Sequence, residues 1–364
     1  MPPGQASILI LDHFDVFGGA QLYILDMIGA LKADRYRFFC TDVLDDWSRQ
    51  RLQQLGVTRI PLFPYFSKRN GVFALLRSFM HLMRLRGKAG TPDLLLTNSM
   101  PGLLVARLAF GRSLPVVHIA HRMDYGPILR VMLRRWPDRL VTVSQTAANW
   151  FREIGVPPDR IRIVPNGFDP ALHQRVETSP KPGLCLGMVG RLDREKGMED
   201  LLELARRLAS RQEIRFRLVG AASDPAQDRL WRTLAERDGL LPMIEFAGRK
   251  PPGPALFEGM DLLLNLSNFQ ETFGRSYAEA ALLEIPTLAY RNGAPEEWIE
   301  HGRNGWFIDS VDSLQTLVEE LVREPDRVRL AGKEARRTIL ANFSLGECAE
   351  QLKAILEERL AGPH

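Results

Sequence analysis

Residues 265–286 read NLSNFQETFGRSYAEAALLEIP, and the rest of the chain is organised around this stretch. Just ahead of it, Leu262, Leu263 and Leu264, with Leu266, make a short apolar run that suits a strand covered on both faces. Ser267, Asn268 and Gln270 are loop residues. Gly274 sits at a turn, and a helix opens near Arg275 and carries Ala278, Ala280, Ala281 and Leu282. Pro286 breaks the pattern before the next strand, TLAY. Strand, loop, helix and strand in that order is the unit of a parallel α/β sheet.

Two carboxylates punctuate the stretch, Glu271 before the helix and Glu279 within it, with seven residues between them. A helix N-terminus presents unpaired N–H groups and partial positive charge, so the segment around Phe273, Gly274 and Arg275 can seat an anion. A carboxylate on either side of that seat can hold hydroxyls of a polyhydroxylated ligand. Spacing alone also fits a helix flanked by two solvated acids.

The residues Glu271-Thr-Phe273-Gly274, Glu279-Ala280-Ala281 and Pro286 resemble the Glu-x7-Glu signature of retaining glycosyltransferases of family 4. The resemblance implies the GT-B fold: two Rossmann-like doubly wound α/β domains facing a cleft, with the C-terminal helix returning to the first domain. Glu284 stands where the family usually has Gly, a departure that bears on the turn more than on the chemistry.

A chain of 364 residues, 45% hydrophobic and 25% charged, has the size and composition of a two-domain soluble protein. No apolar run reaches the roughly 18 residues that a membrane span needs. The start, MPPGQAS, has neither the basic nor the apolar region of a signal peptide. Cys40, Cys185 and Cys348 are scattered, which fits neither a metal site nor a disulfide framework, so a reducing cytoplasm is expected. The net charge of +4 is uneven: residues 1–180 carry +9 and residues 181–364 carry −5. The basic half is expected to meet an anionic surface or acceptor. Nucleic acid is not expected, because no helix-turn-helix, zinc or aromatic-platform pattern accompanies the charge.

In chain order, Ile8 to Leu11 reads as a strand, followed by DHFDVFGGAQ and a helix from about Gln21 to Leu31. Strand, Gly18-Gly19, helix can cradle phosphate or be a simple tight turn. Strands and helices then alternate through RFFCTDVL, Trp47–Leu55, Ile60–Phe63, a helix from about Gly71 to Arg86, DLLLTNS and PVVHIAH. His118 and His121 fall on opposite faces of the last strand, and His121 lies at its carboxyl end, where open sheets place ligands. LVTVSQTAANWF is a strand and a helix capped by Ser144. RIRIVPNGFDP is a strand with an Asn166-Gly167 turn that Asp169 can fix.

ETSPKPG, residues 177–183, has linker composition. The expected division is residues 1–177 on the acceptor side, 178–345 for the donor, and 346–364 as the returning helix. LCLGMVG then leads into RLDREKG and a helix from Met198 to Leu208. Gly190 and Gly197 let the backbone approach a ligand closely. Arg191 offers a planar fork and Lys196 a mobile point charge for phosphate oxygens, although lone loop cations are often just solvated. Gly190-Arg191-Leu192 and Lys196-Gly197 resemble the family's Gly-Arg-Leu-x3-Lys-Gly pattern. Asn292-Gly293-Ala294-Pro295-Glu296 resembles its Gly-Gly-x-Pro-Glu, with Asn292 in a position expected to tolerate positive φ.

The resemblance then implies roles. Arg191 and Lys196 would bind the donor diphosphate, Glu279 the ribose and Glu271 the transferred sugar. Backbone N–H groups near Phe273 and Gly274 would support the phosphates or sugar. The turn at Gly248, Arg249 and Lys250 would meet the nucleotide base. Gly18 and Gly19 would face the phosphates or acceptor, His121 would lie near the sugar, and the Asn166 loop would lie in the cleft. No cofactor is implied; a nucleotide-diphospho-sugar is the co-substrate, a UDP-sugar or GDP-mannose. No Asp-x-Asp pair or His/Cys cluster calls for a metal.

The acceptor would be a glycan or a lipid-linked molecule, in cell-surface polysaccharide, lipopolysaccharide or glycolipid biosynthesis. A nucleotide-sugar epimerase of the same fold and a silent nucleotide-sugar-binding protein remain alternatives. Within the helix of residues 71–88, Arg77, His81, Arg84 and Lys88 share one stripe opposite Leu75, Leu76, Phe79 and Met83. Either this is an ordinary packing helix, or the stripe, with Lys68, Arg69, Arg130, Arg134 and Arg135, rests on an anionic membrane surface. The second case makes the protein peripheral at the inner face of the plasma membrane.

Overall fold

Leu94–Thr97 and Leu262–Asn265 are buried at every residue, as strands covered on both faces must be. Each is the fourth strand of its own parallel sheet. The computed structural model describes residues 5–11, 18–31, 35–41, 46–60, 80, 92–174 and 183–362. The expected helix of residues 71–88 with its basic stripe, Met80 apart, lies outside the described residues. So do Lys68, Arg69, residues 61–63, and all of the linker but Gly183.

The chain forms two compact units, Met1–Gly167 with Leu345–His364, and Phe168–Ser344. The strands of the first are β1 (Ala6–Leu11), β2 (Tyr36–Thr41), β3 (Thr58–Ile60), β4 (Leu94–Thr97), β5 (Val116–Ala120), β6 (Arg139–Thr142) and β7 (Ile161–Ile163). They pair in parallel in the order β3-β2-β1-β4-β5-β6-β7. The strands of the second are β8 (Leu184–Arg191), β9 (Ile214–Ala221), β10 (Ile244–Gly248), β11 (Leu262–Asn265), β12 (Thr287–Tyr290) and β13 (Gly305–Ile308). Their order is β10-β9-β8-β11-β12-β13, again all parallel. In both sheets the chain starts in the middle, winds one way and then reverses. The switch points fall between β1 and β4 and between β8 and β11, and there the carboxyl ends of the strands open a crevice.

Helices join the strands, and their ends follow local chemistry. Ser99 and Ser144 accept from the N–H groups of Gly102 and Ala147, and Ser310 and Ser313 form a reciprocal cap. Asp169 accepts from Ala171 N–H at 2.9 Å and fixes the turn after Asn166. Three helices, Met100–Phe110, Pro127–Arg135 and Pro225–Arg237, lie outside the elements that the sequence pattern marks. The first is apolar nearly throughout, so its period gives little contrast. The last helix, Leu345–Ala361, belongs to the first unit, buries Cys348, Leu352 and Leu356, and packs against helix Gly19–Ala30.

Glu284, the departure noted above, has φ 60° and is the one non-glycine residue at positive φ among the described residues. Its conformation is the one a glycine adopts without a Cβ penalty. Asn292 is not at positive φ; the turn's left-handed conformation falls on Gly293, at φ 97°, which corrects the expectation for Asn292. Asn292 instead donates its side-chain amide to Ser267 O at 3.2 Å, tying two loops together.

Candidate active site

In the second unit three loops leave the carboxyl ends of β8, β11 and β12, and hydrogen bonds join them. Asn268 N–H donates to Glu195 O at 3.0 Å. Glu271 and Gly293 form an isolated parallel bridge, in which Glu271 N–H donates to Asn292 O at 3.1 Å and Ala294 N–H to Glu271 O at 2.9 Å. These contacts hold the Arg191–Lys196 segment, the Glu271 loop and the Asn292 turn in one rim over the switch point.

At the centre of the rim, Lys196 Nζ stands 2.5 Å from Glu271 Oε1. The same oxygen accepts from Ser267 Oγ at 2.7 Å and from Tyr277 Oη at 2.9 Å. The Lys196 ammonium also lies 4.5 Å from the centre of the Phe269 ring, a cation–π contact that fixes an otherwise mobile side chain. Burial, and then the charge of Glu271, hold the Tyr277 phenol well above its usual pKa, so it stays a donor.

Arg191, about half exposed, is held by three neighbours: Asp193, Glu195 at 2.7 Å and Ser223 at 3.4 Å. Asp193 in turn accepts from Ser223 N–H at 2.6 Å and Ser223 Oγ at 2.9 Å, so the guanidinium is aimed by a braced carboxylate. Gly190, just before it, has φ 135° with open space around its Cα.

The helix Arg275–Leu282 begins at Gly274 with no side-chain cap, and the Tyr277 and Ala278 N–H groups donate to Gly274 O at 3.0 and 3.2 Å. Gly274 has φ 84°, and a Cβ there would come within 2.2 Å of the Tyr277 ring. This glycine serves both the turn and the ring behind it. Phe273 is buried, stacked on Phe168 at 6.2 Å and edge-on to Phe343 at 5.1 Å, so only its backbone is available to a ligand. One turn into the helix, Glu279 Oε1 accepts from Arg275 Nε at 2.8 Å, and the Arg275 guanidinium lies 5.2 Å from the Phe168 ring centre.

The second unit therefore brings Lys196 and Glu271 into contact and sets Arg191 at the end of β8, Gly274 at the turn, and Arg275 and Glu279 in the helix that follows it. Arg249 and Lys250 lie past the end of β10, at the sheet edge. In the first unit, His121 Nε2 is 2.7 Å from Asn98 Oδ1, and its ring meets Tyr23 edge-on at 5.1 Å. Asn98 donates to Ala20 O at 3.1 Å, which ties His121 to the helix turn that Gly18 and Gly19 begin. Gly18 is extended, with φ −165°, a conformation open to any residue. Asn166 is buried after β7. His118 is a core residue, bonded to Thr97 Oγ1 at 2.8 Å.

The sequence marks Ser267 only as a loop residue and gives no sign of Phe269, Tyr277 and Asp193. Ser267 lies four residues before Glu271 and Asp193 two after Arg191, but both sit in irregular loop, where helix and strand spacing do not report contact, so only the folded loop reveals them.

A family model described as Glycosyltransferase Family 4 matches residues 17–172, and one described as Glycosyl transferases group 1 matches residues 171–338. Among curated proteins, the colanic acid biosynthesis glycosyltransferase WcaL of Salmonella typhimurium is 28% identical over 249 residues, 64% of this chain and 59% of that protein. A D-inositol 3-phosphate glycosyltransferase of Corynebacterium kroppenstedtii is 26% identical over 249 residues, 62% of this chain and 55% of that protein. The matches thus span less than two thirds of these relatives. Among solved structures, HepE of Anabaena in complex with UDP and glucose superposes with a TM-score of 0.83 at 22% identity, covering 96% of this chain and 99% of that one. Sucrose-phosphate synthase of Thermosynechococcus elongatus superposes with a TM-score of 0.81 at 19% identity, covering 97% and 98%.

Proposed function

The chain belongs to glycosyltransferase family 4, and on that premise we propose that it is a retaining, metal-independent transferase. It moves a hexose-type sugar from a UDP-sugar or GDP-mannose to a glycan or lipid-linked acceptor. The observation that carries the reading is the contact of Lys196 with Glu271 over the switch point of the second sheet, beside Arg191. A cation next to a carboxylate suits a ligand that is anionic at one end and polyhydroxylated at the other.

In this reading Arg191 and Lys196 take up the charge that develops on the diphosphate as the glycosidic bond breaks. The N-terminal end of helix Arg275–Leu282 adds partial positive charge toward the same group. Glu279 holds the ribose hydroxyls, and Glu271 holds hydroxyls of the sugar. His121 and the Gly18-Gly19 turn serve the acceptor side, on the unit that carries the basic excess. The test is a panel of labelled UDP-, GDP- and ADP-sugars, scored for free nucleoside diphosphate with and without glycan and lipid-linked acceptors. Release with no dependence on any acceptor argues against transfer, and no release from any donor overturns the reading.

The proposal extends to cell-surface polysaccharide, lipopolysaccharide or glycolipid biosynthesis, in line with the description of the relative WcaL as a colanic acid biosynthesis glycosyltransferase. It also extends to a peripheral position on an anionic membrane at the cytoplasmic face. No helix among the described residues is long and apolar enough to cross a membrane. Co-sedimentation with neutral and anionic vesicles separates lipid binding from a plainly solvated basic face, since binding through charge fades with salt.

A further inference from the structure

We propose that Tyr277 and Ser267 are positioning residues that lock the Glu271 carboxylate in one orientation, assigning Oε1 to the protein and Oε2 to a hydroxyl of the transferred sugar. This rests on the donor site proposed above and deepens it.

The three donors on Glu271 all meet one oxygen. Lys196, Ser267 and Tyr277 lie 2.5, 2.7 and 2.9 Å from Oε1, whereas Oε2 has no hydrogen bond among the described residues. The terminal torsion of a glutamate is broad and two-fold, so a carboxylate held by one partner exchanges its two oxygens freely. Lys196 alone cannot prevent that, because an ammonium is a rotating point charge. Two hydroxyls approaching from different elements can. Ser267 comes from the loop after β11, and Tyr277 from the first turn of the helix that follows.

Tyr277 is built in for the purpose. Its ring is buried beneath the Gly274 turn, where any Cβ would clash with it. A buried phenol needs a partner for its hydroxyl, and here the partner is Glu271. The hydroxyl therefore does more than fill space, which a phenylalanine would do as well. A carboxylate whose free oxygen points one way selects a sugar by the orientation of a single hydroxyl. A spinning one accepts either epimer.

The test uses the full chain with Tyr277→Phe, Ser267→Ala, and each in a Glu271→Gln background. Three quantities are read: affinity for the bare nucleoside diphosphate, kcat and KM for the donor, and the ratio of kcat/KM between donors epimeric at one sugar carbon. Tyr277→Phe is expected to leave nucleoside diphosphate affinity within about twofold. It should lower kcat about 10- to 100-fold, the scale of a small misplacement, and shrink the epimer ratio. In the Glu271→Gln background the same change should have little further effect. A wild-type kcat and epimer ratio in Tyr277→Phe would overturn the positioning role while leaving the donor site standing. Parallel loss of nucleoside diphosphate affinity and kcat would also overturn it, as a general packing effect. Failure of the wild type to release nucleoside diphosphate from any donor would instead overturn the donor site, and this role with it.

Discussion

Lys196 and Glu271 are 75 residues apart in sequence and 2.5 Å apart in the fold. β8 and β11 are neighbours in the sheet although two strands separate them in the chain, and the loops after them meet over the reversal in strand order. A parallel sheet that starts in its middle creates that meeting, so the site is a consequence of topology.

The first prediction concerns the cations. Lys196→Ala and Arg191→Ala should each lower turnover by roughly 10²–10³, the scale of removing one preorganised charge stabiliser. Thermal unfolding should change little, because neither side chain is part of a core. Donor-dependent release of nucleoside diphosphate is the measurement, and near-wild-type turnover in either variant removes that residue from the diphosphate site.

The second separates the carboxylates. Glu279→Ala should weaken binding of bare nucleoside diphosphate, since its assigned partner is ribose. Glu271→Ala should leave that binding nearly unchanged and slow transfer. Arg275→Ala should mimic Glu279→Ala in part, because Arg275 holds Glu279 at 2.8 Å. Calorimetric titration decides, and equal loss in both glutamate variants refutes the division.

The third concerns metal. With two side-chain cations assigned to the diphosphate, activity should persist in excess chelator. Loss in chelator that manganese or magnesium restores would show that Arg191 and Lys196 do not suffice.

These assignments were legible to different degrees. The alternation of apolar runs and helical patterns is local, so strands such as Leu262–Asn265 and caps such as Ser144 can be read directly. The family resemblance carried Arg191, Lys196, Glu271 and Glu279, which spacing alone left as solvated charges. The braces were not legible. Tyr277 reaches Glu271 where Gly274 folds back at φ 84°, and Asp193, two residues beyond Arg191, is braced by Ser223 from the loop after β9. Side chains that meet through a turn leave no period in the sequence.

The fourth prediction concerns the turn before β12. Glu284 holds φ 60°, and helix Pro325–Asn342 presses Gly332 against its carbonyl, where a Cβ would come within 2.1 Å of the oxygen. Glu284→Gly should relieve the left-handed strain and stabilise by about 0.5–1 kcal/mol, after allowing for glycine's greater freedom when unfolded. Gly332→Ala should destabilise by about 1–3 kcal/mol, since backbone must move to admit a methyl group. Denaturant unfolding checks both. A Glu284→Gly variant less stable than wild type would mean that contacts of the glutamate outweigh the strain.

The last prediction is a pH dependence in the first unit. His118 is fully buried in β5, and burial lowers its pKa from 6.5 to about 3, against a smaller opposing effect of its hydrogen bond to Thr97. The native state therefore keeps the imidazole neutral where the unfolded chain protonates it. Above pH 6.5 both states are neutral and the residue contributes no pH dependence. As pH falls from 6.5 toward about 3 the unfolded state binds the extra proton, and stability drops by about 1.4 kcal/mol per pH unit. His118→Gln can still hydrogen-bond Thr97 but does not titrate, so it should lack this slope. The gap in unfolding free energy between wild type and His118→Gln should narrow by about 2 kcal/mol between pH 7 and pH 5. A gap that stays constant over that range would show that the native imidazole titrates as it does in the unfolded chain, so that burial does not lower its pKa.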